Sequence, residues 1–180
     1  MPEGQSIVVL GFETRFSARE ALAAATWLRP EGDLEVRDAV FVSRDDHGRA
    51  HVEETHTGVS TDRGVLGGAF WGPLFAAILP VRTTASDGAG TSALTGRLVG
   101  AGVSDQFVKK LRESACPGRT YLALLVRHPH REAGLAELRG LHGIADLADS
   151  SMPDEVIAQV RDALSTADAA RSAGCWSSVG

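Results

Sequence analysis

The chain has 180 residues, with 18 Lys plus Arg against 23 Asp plus Glu and a net charge of −5. That length holds one domain, or one domain with an insertion, and without a basic surplus there is no electrostatic footprint for nucleic acid. Two cysteines, Cys116 and Cys175, lie far apart with no CxxC, which excludes a disulfide scaffold and a zinc ribbon.

The opening MPEGQSIVVLGFETRF carries an acidic residue before a short apolar run. This is not a secretory signal, so a cytoplasmic location is expected. Ser6 to Gly11 (SIVVLG) is β-branched and continuously apolar, and reads as a buried strand. Ser17 and Glu20 have capping-box spacing, which predicts a helix from Ser17 to about Leu28 with Ala21, Leu22, Ala25 and Leu28 inward. Leu34 to Ser43 and Ala50 to Thr57 read as two strands of a hairpin turned by Asp45-Asp46-His47-Gly48. The charges and histidines of the second of these predict a wet face or a place near an edge.

Twenty glycines make up about 11% of the chain, above the usual ~7%. Ten of them fall between Gly58 and Gly102. Gly64 to Val81 (GVLGGAFWGPLFAAILPV) is 18 residues without a charge, bracketed by Arg63 and Arg82. As a helix it would span roughly 27 Å, against a hydrocarbon core of about 30 Å. Gly64, Gly68, Gly72 and Ala76 recur at four-residue intervals, and so do Gly88, Ser92, Gly96 and Gly100. This spacing lets helix backbones approach closely. Phe70, Trp71, Leu74, Phe75 and Ile78 form an aromatic and aliphatic ridge on the first helix. The segment 64–103 is therefore expected to be a helical hairpin. Its glycine ridges would meet another copy, lipid or the chain's own core. A single span would separate strands that share a sheet, and the second arm is polar (Thr91, Ser92, Thr95, Arg97).

Beyond it, Ser104 and Asp105 cap a predicted helix bearing Phe107, Val108 and Leu111, ended by Pro117-Gly118. Tyr121 to Val126 (YLALLV) is a buried strand, Arg131 to Leu141 a helix, and Ile144 to Leu147 a short strand. Pro153 opens a helix with Val156, Ile157, Val160 and Leu164 inward. Residues 166–180 are read as a flexible tail. The first six elements, β-α-β-β-α-β, predict an α+β, ferredoxin-like (split βαβ) sandwich within a single domain over 5–165. The glycine-rich hairpin is inserted between strand 3 and the next helix, an α-β-α extension stands at the C-terminal end, and one helical layer covers the sheet.

Chemistry-bearing motifs are sparse. Gly88 to Ala93 fits GxGxxA, but no strand precedes it, and Lys109 and Lys110 stand where an acid belongs. His51 and His56 point to opposite faces of a strand, and His128 and His130 flank Pro129. Asp45, Asp46, Glu53 and Glu54 make an acidic hairpin. Cys116, at a helix C-terminus, is not placed to be a thiolate. No catalytic residue, metal ligand or cofactor is expected.

The ordered set IVVLGF, DAVFVSRDDHGRAHVEET, GVLGGAFWGPLFAAILPV, GVSDQFVKKL and YLALLV resembles the bacterial domain of unknown function number 1269, often labelled a membrane protein. The resemblance implies no established activity, and its second arm would be more apolar than the one here. The expectation is a non-enzymatic protein that forms homo-oligomers through the glycine-spaced hairpin. The alternatives are insertion of that hairpin into the inner leaflet, or a small-molecule-sensing module.

Overall fold

A computed structural model describes residues 4–27, 34–55, 66, 68–79, 95–116 and 118–175. Five strands, β1 (Gly4–Phe12), β2 (Glu35–Arg44), β3 (Ala50–Glu54), β4 (Thr120–His128) and β5 (Ile144–Ser151), form one sheet. Among the described residues six helices accompany it: α1 (Arg15–Trp27), α2 (Gly68–Ile78), α3 (residues 95–100), α4 (Asp105–Ser114), α5 (Arg131–Arg139) and α6 (Asp154–Cys175).

The strand order is β3-β2-β4-β1-β5, and every neighbouring pair is antiparallel. β1 and β2, joined through α1, run parallel with β4 between them. β4 and β5, joined through α5, run parallel with β1 between them. The two crossovers are thus interlaced. β4, a nearly unbroken apolar run, takes the centre. β3, with His51 and Glu53 exposed, takes an edge, where charged side chains also discourage further strand pairing.

Burial alternates along each central strand. Val8, Leu10 and Phe12 of β1 join Leu122, Leu124 and Val126 of β4 under α1 and α5. Ile7 and Val9 join Ala123 and Leu125 under α2, α4 and α6. Helices therefore cover both faces of the sheet, where the sequence reading places them on one. Double coverage is also why β1 and β4 are apolar without a break rather than alternating with polar residues.

Local signals are met with some shifts. α4 begins at Ser104, whose Oγ accepts from the Phe107 amide at 3.4 Å, and Phe107, Val108 and Leu111 are buried as expected. α1 begins one turn earlier than predicted. Thr14, not Ser17, supplies the cap: its Oγ1 accepts from the Ser17 amide at 3.1 Å. β5 runs on to Ser151 because pairing with β1 carries its polar second half. The backbone of α6 is helical to Cys175, where a flexible tail was expected from 166. The sequence there (TADAARSAG) is rich in alanine, the strongest helix former.

Candidate functional site

The glycine-rich segment enters the fold through Asp38. β2 and β4 shift register between Val36 and Asp38, so Val36 and Ala39 both face the α1 side. The Asp38 carboxylate is left to meet α2. Oδ2 accepts from the Leu66 amide at 2.9 Å and from the Trp71 indole N–H at 2.9 Å, while Oδ1 accepts from the Ala39 amide. The far end of α2 is held by Arg112 of α4. Its Nε donates to the Ile78 carbonyl at 2.9 Å, and one terminal nitrogen donates to the Ala77 carbonyl and to Thr95 Oγ1. A cation at these last carbonyls also opposes the negative end of the helix dipole. Thr95, the first described residue of α3, is thus tied to the same guanidinium. Neither clamp was singled out from the sequence. The only local hints are a charged residue inside the apolar run DAVFV and a cation in the last turn of α4.

Between the clamps α2 has two unlike faces. Phe70, Trp71, Leu74, Phe75 and Ile78 are buried against the chain's own sheet. Trp71 stacks on Phe75 with centroids 6.1 Å apart and meets Phe70 edge-on at 5.7 Å. The ridge expected to anchor a partner or lipid is therefore part of the intramolecular core. The opposite face carries Ala69, Pro73 and Ala76, all exposed, beside half-buried Gly72. Gly96 and Gly100 of α3 are also exposed. Among the described residues, a Cβ built at Gly72, Gly96 or Gly100 meets nothing within 4 Å. Gly68 opens α2. Gly64, Gly88 and Ser92 lie outside the described residues, as does the expected turn between the two arms.

Gly102 differs from these three. The Val103 amide bonds the Leu98 carbonyl and the Gly102 amide bonds the Val99 carbonyl, both at 3.0 Å, with Gly102 at φ +113°. This is a Schellman ending, and it requires glycine for backbone reasons.

The remaining candidates do not converge. His51 Nε2 lies 3.0 Å from Asp45 Oδ2 at the β2–β3 turn. That contact, with amide bonds from Arg49 and His47, lowers the Asp45 carboxyl to about 2. Among the described residues no three His, Cys, Asp or Glu side chains gather as a metal site. His56, the Gly88–Ala93 segment and Trp176 lie outside the described residues, and Cys116 is exposed at the end of α4.

His128 is buried beside Ser6, with Nε2 and Oγ 2.9 Å apart, and packs so closely on Gly4 that a Cβ there would fall 2.6 Å from its ring. Burial holds its pKa below the ordinary 6.5; Arg131 lowers it further, while a backbone hydrogen bond and Asp149 act in the opposite sense. The unfolded chain therefore takes up this proton at a higher pH than the folded one. Stability conferred by neutral His128 is complete above about 6.5 and declines as pH falls from there toward the folded value. Urea midpoints measured at pH 7, 6 and 5 should fall more steeply for the native chain than for His128→Gln, which keeps a polar group beside Ser6 without the titration. Parallel slopes would deny His128 this role.

The architecture is that of an α+β protein whose antiparallel sheet lies between two helical layers, with one apolar helix clamped at both ends. The chain belongs to the family described as "Protein of unknown function (DUF1269)", whose model matches residues 65–165, more than half of its length. The match begins just before α2 and runs through most of α6. No curated protein and no solved structure matches the chain. Among the described residues no helix is long and apolar enough to cross a membrane.

Proposed function

We propose that this is a non-enzymatic assembly protein that self-associates through the outward, small-residue face of α2 and α3. The observation that carries the reading is the empty space over Gly72, Gly96 and Gly100. Glycine inside an exposed helix costs about 1 kcal/mol relative to alanine. Gly102 has a backbone reason for its identity; for these three, no backbone or steric reason is found among the described residues. A closely approaching helix from a second copy supplies one, because glycine lets backbones pack at short range. Ala69, Gly72, Pro73 and Ala76 follow i, i+3, i+4, i+7 spacing, so they present one continuous stripe.

The body that displays this stripe is read as ferredoxin-like. The interlaced units β1–α1–β2 and β4–α5–β5 support that reading in altered form: α5 and β5, expected as part of a C-terminal extension, make the second unit, and β3 is added at the edge. The aromatic ridge is occupied by the sheet, so contact between copies falls to the stripe alone.

Light scattering tests this directly. The native chain should show a mass that is a multiple of 18.9 kDa. Gly72→Leu and Gly100→Leu should each reduce it toward one chain, with the melting temperature of the dispersed monomer unchanged or raised, because an added Cβ meets no described atom within 4 Å and leucine favours helix. A native mass of one chain, or an unchanged mass in both variants, would sink the proposal. A mass that depends on detergent would point to a lipid-facing hairpin instead.

A further inference from the structure

We propose that the groove between α2 and α6 binds a small carboxylate carried on an apolar tail. The groove encloses about 290 Å³. This lies at the lower end of the roughly 300–1,000 Å³ typical of small-molecule sites, and suits a short chain or single ring. Leu66, Phe70, Pro73 and Leu164 make its apolar walls, and Arg161 and Ser165 supply the polar groups.

Arg161 gives the groove its ligand preference. Its guanidinium carbon sits 5.9 Å from the centroid of the Phe70 ring. The ring attracts the cation through its face and consumes none of its N–H donors. Among the described residues no carboxylate pairs with Arg161. A planar fork of donors at the rim of an apolar cleft matches a carboxylate bidentately, with the tail covered by the leucines and Pro73. An ammonium head would be repelled, and a neutral head would leave the fork unused. The groove shares Ala69 and Pro73 with the stripe read above as the contact between copies, so octanoate binding is measured on the dispersed Gly100→Leu chain as well as on the native one, and saturable binding to the dispersed chain separates this site from the fate of the self-association reading.

Octanoate is a suitable probe, with acetate, octanol and octylamine as controls, added to the full chain with its leucine methyls observed by NMR. Octanoate should shift the Leu66 and Leu164 methyls saturably. Acetate and octylamine should not do so at the same concentrations, and octanol should bind at least tenfold more weakly. Arg161→Gln, at an exposed position that leaves the fold intact, should weaken octanoate by about tenfold, the usual scale for losing a charge-assisted pair. It should leave octanol unaffected. Ala69→Phe, which fills the groove from its exposed side, should abolish the octanoate response. The proposal is overturned if octanoate produces no saturable shift at these methyls, if octylamine binds equally well, or if Arg161→Gln leaves the octanoate affinity unchanged.

Discussion

Trp71→Ala is expected to lower unfolding free energy by about 3–5 kcal/mol, the range for deleting a buried aromatic ring. The indole is fully buried, stacked on Phe75 and edge-on to Phe70, so its removal strips contacts from two neighbours and leaves a cavity. The Asp38 carboxylate also loses one of its donors. Asp38 is only partly buried and keeps the Leu66 and Ala39 amides, so loss of the ring dominates. A loss of this size is a large part of a typical 5–15 kcal/mol stability. Trp71→Phe, which refills most of the space without the N–H, should cost about 1–2 kcal/mol. Urea denaturation followed by far-UV circular dichroism measures both. Carried out on dilute monomer, the experiment also reports where the aromatic ridge resides. A loss below about 1 kcal/mol for Trp71→Ala would mean that α2 is not docked in its own core.

Arg112→Ala should be the second large effect, at about 2–4 kcal/mol. One side chain serves two carbonyls at the end of α2 and the hydroxyl of Thr95. Hydrogen bonds from a charged donor are worth about 1.5–3 kcal/mol each, but Arg112 is only partly buried and its three bonds share one cost of immobilisation. Arg112→Lys keeps the cation at the helix end and loses the fork, so it should recover about half of the loss. Hydrogen exchange gives a residue-resolved check. Amides across Gly68–Leu79 should exchange faster in Arg112→Ala, while those of β1 and β4 should change only in step with global stability. Uniform acceleration throughout the sheet would show that Arg112 supports the whole fold rather than this helix.

Much of the body was readable locally. The runs SIVVLG and YLALLV announced central strands, and Ser104 with Phe107, Val108 and Leu111 announced α4. The same runs carried a signal that the one-layer expectation did not use: strands apolar at every position must be buried on both faces. The capping shift from Ser17 to Thr14 is a contest between two nearby hydroxyls. It is settled by where β1 ends, which no window of sequence fixes.

The glycine-rich segment divides along the same line. Four-residue spacing placed Gly72 and Ala76 on one side of a helix and Trp71, Leu74, Phe75 and Ile78 on the other, a consequence of helical geometry alone. What covers the aromatic side was not legible. A ridge of this composition suits a sheet, a second copy or lipid equally well, because apolar burial is non-directional. The choice depended on Asp38, 33 residues before Trp71, and on Arg112, 34 residues beyond Ile78.

The sequence by itself thus determined the element types, the two-sided character of α2 and the location of the glycine excess, since each follows from short-range periodicity and propensity. Only the tertiary structure decided that the aromatic side closes the chain's own core and that the small-residue side faces outward. Those outcomes rest on directional hydrogen bonds between distant residues, and only folding brings their partners within reach.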